Sequence, residues 1–443
     1  MQAELVIYPQ WILPVDRDNR QLTNHALAIA DGRIVAIVPA AEARQSIHAQ
    51  QVLELPEHVL IPGLVNAHTH AAMTLLRGLA DDLPLMTWLH DYIWPTEQRW
   101  VDAEFVRDGT RLAVLEMLCG GVTCYHDMYF HPEVTAQVTA DAGMRAVIGM
   151  IVVDFPTGYA ANADAYLTKG LALHAAYRDH PLIRVAFAPH SPYAVSDAPL
   201  QRINALAAQL DVPIHLHLHE THDEIVQSER DHGQRPFQRL DQLGLINSRL
   251  LAIHMTQLND AEIARLAETG AHVVHCPESN LKLASGFCPV EKLLAAGVNV
   301  ALGTDGAASN NDLNILGEMR TAALLGKGVA GSATAVSATA ALRMATINGA
   351  RALGLADEIG SLEVGKSADI VALDFNDLHT QPVYHPGSQL VYAASRQQVR
   401  QVWIRGQQVV RDGVPTSLDS AEVIAAARAW GERIADGQTL AVN

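Results

Sequence analysis

The middle of the chain alternates short apolar runs with Ala- and Leu-rich segments, and this alternation constrains the fold more than any other feature. Eight runs read as buried strands: Val59 to Val65, Val122 to Tyr125, Ala146 to Val152, Ile183 to Ala188, Pro213 to Leu218, Leu250 to Ile253, His272 to Val274 and Val298 to Leu302. Between most of them lie segments with helical spacing, such as Leu200 to Leu210 and Asp260 to Thr269. Eight strand–helix units over roughly three hundred residues describe an α/β chain, a (β/α)8 TIM barrel with insertions. A doubly wound open sheet is the alternative.

The two ends have a different texture. Glu4 to Tyr8, His25 to Ala30 and Arg33 to Val38 read as short strands separated by turns, Asp31-Gly32 among them. The tail repeats this pattern at Gly360 to Gly365, Ala368 to Leu373, Leu390 to Tyr392 and Val399 to Ile404, and Ser420 to Ala435 reads as a closing helix. A small β-sandwich domain built from both termini is therefore expected, over residues 1–57 and 360–443, around a barrel over 58–359. A chain of 443 residues, 49% hydrophobic, is long enough for both.

Charge and cysteine content narrow the function classes. Lys and Arg number 31 against 48 Asp and Glu, a net charge of -17. That balance argues against a nucleic-acid partner, which needs basic surface. Cys119, Cys124, Cys276 and Cys288 form no C-x-x-C pair, so a reducing compartment is expected. Met1 to Pro14 has no cationic region followed by a long apolar run, and no apolar stretch is long enough to span a bilayer. A cytoplasmic protein with no membrane partner is the expectation.

Polar residues gather where the apolar runs stop. The first run leads into His68-Thr69-His70, and the fourth ends at Pro189-His190-Ser191. The fifth ends in His215-Leu-His217-Leu-His219-Glu220, the sixth at His254, the seventh at His275 and the eighth at Asp305. In a parallel barrel all C-terminal strand ends open on one face, so these groups converge. Residues i and i+2 of a strand share a side, which lets His68 and His70 grip one ion. Taken singly, each residue has a structural reading: a hydrogen-bonded core histidine, or a cap in the case of Asp305. Three His and one Asp together are the donors that borderline divalent metals prefer.

These motifs resemble the amidohydrolase superfamily over essentially the whole chain. The resemblance is carried by Pro62 to His70, His217-Leu-His-Glu220-Thr221, His275 to Gly286, Gly303 to Asn314 and Gly360 to Asp369. Within it, the chain is most similar to the methylthioadenosine and S-adenosylhomocysteine deaminases, beside triazine hydrolases and guanine and cytosine deaminases. The resemblance implies His68, His70, His217 and Asp305 as ligands of one Zn2+ per subunit, with Fe2+ or Mn2+ as alternatives. It also selects His217 from three histidines on one face, because the family's catalytic Glu follows its ligand by three residues, as Glu220 does. The roles of His215, His219 and His275 stay open. Relatives with two metals carry a Lys in the fourth strand; Val185 to His190 has none, which favours a single ion.

The activity implied is hydrolytic deamination of a purine nucleoside. Glu220 relays a proton from water to the ring, Asp305 serves as ligand and base, and His254 orients the attacking water, with a fifth-ligand role as the alternative. Glu97 is implied as the acceptor for ribose hydroxyls and His190 as a base or ribose contact, while Trp88 and Met86 are candidates for an apolar wall. Relatives that accept S-adenosylhomocysteine hold its carboxylate with arginines. No Arg occurs between Arg145 and Arg178 here, and Asp154 to Tyr159 has no cation. Methylthioadenosine is therefore favoured, with adenosine or S-adenosylhomocysteine as further candidates. The rivals are a deaminase or dechlorinase of guanine, a pterin or an s-triazine, and a non-catalytic metal-binding relative. A homodimer is the family's expectation.

Overall fold

The computed structural model describes residues 1–439. Five N-terminal strands come first: β1 (Gln2–Ile12), β2 (Leu22–Thr23), β3 (His25–Ala30), β4 (Arg33–Pro39) and β5 (His48–Pro62). Eight barrel strands follow: β6 (Leu64–Thr69), β7 (Val122–Asp127), β8 (Arg145–Val152), β9 (Ile183–Pro189), β10 (Ile214–Leu218), β11 (Leu250–His254), β12 (His272–His275) and β13 (Asn299–Leu302). The tail adds β14 (Ile370–Asp374), β15 (Val399–Ile404), β16 (Gln407–Arg411) and β17 (Val414–Pro415).

The eight barrel strands are parallel neighbours in chain order from β6 to β13. Their inward residues, such as Val65, Cys124, Val147, Ala186, Leu251, Val274 and Ala301, pack into one core along the axis. Closure between β13 and β6 rests on few bonds. The Asn66 amide donates to Thr304 Oγ1 at 2.8 Å and its carbonyl accepts the Thr304 N–H at 3.0 Å. Beyond it, the Asp305 N–H donates to the His68 carbonyl at 3.1 Å. Gly303 permits this approach, since a Cβ there would stand 2.7 Å from the His68 Cβ. The closure excludes the open-sheet alternative.

The small sheet joins both ends of the chain through one long strand. β5 pairs in parallel with β1 over most of its length and antiparallel with β14 over His58–Pro62. The strand expected over Val59 to Val65 is thus two elements: Val59–Pro62 belong to the small sheet, and the barrel strand begins at Leu64. An apolar run cannot reveal which of two sheets its halves join. The sheet then curls over a core of Ile7, Leu27, Ile29, Ile34, Ile370 and Trp403, so that the Asp31-Gly32 turn meets the Arg405-Gly406 turn. Two expected tail strands are absent. Gly360 to Gly365 is a loop, and Leu390 to Tyr392 is the end of a helix, Pro386–Tyr392, which starts on Pro386 and buries Leu390 and Val391 against the barrel. The closing helix runs over Ser420–Thr439 and docks on the helix Ala103–Cys119, with Trp430 Nε1 donating to Asp108 at 3.0 Å.

A buried ion pair fastens the small sheet to the barrel. Arg145, at the start of β8, donates to both carboxylate oxygens of Asp369 at 3.0 and 3.3 Å, and to Ser367 Oγ at 3.1 Å. Asp369 also accepts the Arg405 N–H at 2.9 Å. Removing one partner leaves a charge buried without compensation. Asp369→Ala is expected to cost about 3–5 kcal/mol, while Arg145→Met with Asp369→Leu recovers most of it; urea unfolding midpoints decide.

Candidate active site

His68 lies in β6, His70 directly after it, His217 in β10 and Asp305 just past β13. Their donor atoms lie within 4.8 Å of one another. Asp305 Oδ1 stands 3.2 Å from both His68 Nε2 and His70 Nε2, and His217 Nε2 lies 3.2 Å from His68 Nε2. The opposite ring nitrogens are pinned. His70 Nδ1 donates to the Met128 carbonyl at 2.5 Å, and His217 Nδ1 to the His190 carbonyl at 2.7 Å. A carbonyl can only accept, so both rings carry a proton on Nδ1 and turn Nε2 inward. His68 is backed differently, by His215 Nε2 at 2.7 Å from its Nδ1.

The charge states suit a cation. Burial pushes His217 well below the usual imidazole range and His68 down to about 4. Burial opposes ionisation of Asp305, but its bonds to His68 and His70 outweigh that and hold the carboxyl well below its usual range. His70 is the exception: burial disfavours its charge, yet Asp305 overrides burial and raises it to about 9. A proton and a divalent ion therefore compete for the His70–Asp305 pair, and binding the ion releases the proton. Asp305 Oδ2 accepts from Ser279 Oγ at 2.7 Å and Ser309 Oγ at 2.9 Å, which fixes the carboxylate plane. Three imidazole nitrogens and one carboxylate oxygen fit a single borderline divalent ion.

Glu220 follows β10, and its carboxylate lies 3.8 Å from His254 Nε2. Burial raises the Glu220 carboxyl above its ordinary range despite the opposing pull of His254. A carboxyl whose proton is held more tightly can serve as acid as well as base. His254 Nδ1 donates to Asn280 Oδ1 at 2.9 Å, which turns Nε2 toward Glu220. His254 lies outside the four-donor group.

A cavity of about 750 Å³ opens over these groups. His190, Glu97 and Trp88 line it; Met86, 40% exposed, does not. The Met86 assignment is thus corrected: its helix, Leu85–Thr87, turns Leu85 and not Met86 to the cavity. Tyr129 O–H donates to Glu97 Oε1 at 2.7 Å, and burial raises the Glu97 carboxyl to about 7. Among the described residues no Lys or Arg lines the cavity, and the segment from Phe155 to Tyr159 closes one side with its backbone held by Lys169, which donates to the Tyr159 carbonyl at 2.6 Å.

The profile of the amidohydrolase family matches residues 59–409. The chain belongs to that family. This amidohydrolase is 51% identical over 424 residues to the 5-methylthioadenosine/S-adenosylhomocysteine deaminase of Teredinibacter turnerae, covering 96% of each chain. It is 50% identical over 432 residues to the enzyme of the same name from Saccharophagus degradans, covering 98% of this chain and 97% of that one. Among solved structures, an adenosine deaminase from Xanthomonas campestris with bound zinc superposes with a TM-score of 0.97 at 52% identity, covering 98% and 99% of the two chains. The atrazine chlorohydrolase TrzN of Arthrobacter aurescens, at 24% identity and a TM-score of 0.89 over 96% and 99%, shares the fold. The amidohydrolase is accordingly a hydrolytic enzyme of the deaminase kind.

Several residues of the site have no signal in the strand-end pattern. Tyr129, Ser279, Asn280, Ser309 and Thr256 come from loops and short helices and act on other side chains or on backbone, so spacing along a strand does not find them. His215 stacks face to face on His126, ring centroids 3.7 Å apart at 8°, beneath the donor set. His219 Nε2 accepts the Phe237 N–H at 3.1 Å, and the His275 carbonyl accepts the Gly303 N–H at 3.0 Å. Replacing His215 with Phe removes the ring nitrogen behind His68. Metal affinity is expected to fall about 10- to 100-fold in a chelator competition, and unchanged affinity would show that His68 needs no such support.

Proposed function

We propose that this amidohydrolase uses one zinc ion to remove the 6-amino group of an adenine nucleoside, giving the inosine analogue and ammonia, with 5'-methylthioadenosine as the preferred substrate. One observation carries the reading: a single-ion donor set with Glu220 at one end of a cavity whose wall also presents Glu97. Tyr129 occupies Glu97 Oε1. Oε2 receives no hydrogen bond from the described residues, and a half-buried carboxylate oxygen on the cavity wall is free to accept hydroxyl donors from a ligand. A ribose diol supplies them. The names of the relatives at 50% identity and the zinc in the Xanthomonas campestris structure support the same assignment.

His68, His70, His217 and Asp305 would hold the ion, which when bound would supply a water acidic enough to serve as a nucleophile near neutral pH. Glu220 takes a proton from the attacking water and delivers it to N1 of the ring, so that C6 accepts the new C–O bond. His254 Nε2 accepts a hydrogen bond from that water and fixes its direction. Asp305 takes the second proton and passes it to the 6-amino group, which leaves as ammonia when the C6–N bond breaks. General acid–base transfer of this kind contributes roughly two to four orders of magnitude in rate. His190, pushed by burial down to about 3, stays neutral beside the base. Trp88 forms part of the apolar wall, and with no Lys or Arg among the described residues of the lining a neutral 5' substituent is favoured over the zwitterionic chain of S-adenosylhomocysteine.

Ammonia release from zinc-loaded enzyme is expected with methylthioadenosine and adenosine, and at lower kcat/KM with S-adenosylhomocysteine. Glu97→Ala is expected to lower kcat/KM for the nucleosides about 10- to 100-fold and to leave the free base nearly unaffected, since charge-assisted hydrogen bonds are the strong ones. Turnover of guanine, a pterin, an s-triazine or cytosine without turnover of any adenine nucleoside would overturn the assignment. Metal-replete protein inactive on the whole panel would point to a non-catalytic binding protein, and elemental analysis separates zinc from iron or manganese.

A further inference from the structure

The side chain and the backbone of Glu220 are held in opposite ways. Its carboxylate makes no hydrogen bond to the described residues, with His254 Nε2 3.8 Å away. Its backbone is gripped from two sides. The Glu220 N–H donates to Glu224 Oε2 at 2.7 Å, and the His219 N–H donates to Glu224 Oε1 at 3.0 Å. On the other side, Thr256 Oγ donates to the Glu220 carbonyl at 2.6 Å and the Thr256 N–H to the His219 carbonyl at 2.9 Å. All four polar backbone groups of this dipeptide are therefore satisfied from outside β10.

Glu224 is not serving as an ordinary helix cap. The helix His222–His232 starts after Thr221, whose hydroxyl accepts the Glu224 N–H at 3.3 Å. In a capping box the Glu at this position returns to the N–H of the capping residue itself. Glu224 reaches past Thr221 to the two residues before it. There the chain needs a local anchor, because His219 sits at a φ of +54°, a conformation that side chains other than Gly rarely adopt. The Glu224 carboxylate spans the two successive N–H groups, of His219 and Glu220, where the chain turns out of the strand.

We propose that Glu224 is a positioning residue for proton transfer: its two-oxygen grip on the His219 and Glu220 N–H groups aims the Glu220 carboxylate, and Thr256 completes the clamp. The inference rests on the reading of Glu220 as the group that moves the proton. A relay must face the water in one step and the ring nitrogen in the next. Fixing the main chain while leaving the carboxylate without a hydrogen bond from the described residues provides both aim and freedom to turn.

The test uses the zinc-loaded full chain with methylthioadenosine. Glu224→Ala is expected to lower kcat about 100-fold, the loss that a displacement on the order of 1 Å produces, with KM and zinc content nearly unchanged. Glu224→Gln keeps one acceptor oxygen and is expected to lose about tenfold. On a Glu220→Gln background, adding Glu224→Ala is expected to change kcat by less than about twofold, since residues acting through one another are not additive. Amide hydrogen exchange provides a readout independent of turnover: in Glu224→Ala the His219 and Glu220 amides exchange faster while those of β10 stay protected. Equal kcat losses on both backgrounds, loss of zinc, a rise in KM at constant kcat, or unchanged exchange of the two amides would overturn the proposal. If Glu224→Ala fails to fold, Glu224→Gln in the same exchange and kinetic measurements decides. A wild-type enzyme that releases no ammonia from adenine nucleosides would overturn the substrate assignment alone, and the exchange data would still decide the clamp.

Discussion

The bond from the Asp305 N–H to the His68 carbonyl is the constraint on which the rest of the structure depends. It brings the end of the last barrel strand to the first, where Asn66 and Thr304 complete the seam. The same short approach puts the Asp305 carboxylate 3.2 Å from two imidazoles of the first strand's end. Barrel closure and donor spacing are thus one geometric fact. A side chain at Gly303 would separate the strands and the donors together. The metal donors also have their second nitrogens tied to neighbouring strand ends, to Met128 after β7 and to His190 after β9, so ring orientation is set by the barrel itself.

Strain accumulates at the strand ends that carry chemistry. His219, His254, Met255 and Asp305 all have positive φ, each at a cost of about 1–3 kcal/mol. These conformations persist because the surroundings hold them. The Met255 N–H returns to the Leu218 carbonyl, the Thr256 N–H to that of His219, and the Asp305 carboxylate accepts three bonds from Ser279, Ser309 and the Gly306 N–H. The Met255, Thr256 and Ser279 bonds cross between adjacent strand ends, which couples these ends to one another. A site built in this way keeps its geometry without drawing on substrate binding, which leaves that binding free energy for the transition state.

Much of this was legible in the sequence because a barrel turns strand ends into one surface. His68, His70, His217, Glu220, His254 and Asp305 stand at the ends of apolar runs, and topology alone brings them together. The small sheet was legible in outline from its alternating ends, but its boundary was not. Val59–Pro62 is as apolar as Leu64–Val65, and only the pairing of β5 with β14 shows that the first four residues serve another sheet. Leu390 to Tyr392 looked like a strand because three residues carry no period; Pro386 was the signal that a helix begins there. Glu224 and Thr256 escaped for a different reason. They act on backbone groups, and a backbone contact leaves no trace in the spacing of polar side chains.

The charge balance of the cavity bears on selectivity as directly as its shape. Glu97, Glu220 and Asp305 all line it, and no Lys or Arg among the described residues does. A divalent ion held by the four donors would compensate charge only at the Asp305 end. Glu97 sits elsewhere on the wall, with burial raising its carboxyl to about 7 and one tyrosine hydroxyl as its donor. Such a group penalises any ligand that fails to donate to it, because displacing water without replacing the hydrogen bond leaves the carboxylate unpaired. On the proposed reading it favours a diol over a ligand with no hydroxyl donors at that point. On the same reading, discrimination against a substrate with a carboxylate at its far end would not require a clash: the lining offers acceptors and, among the described residues, no Lys or Arg to meet it.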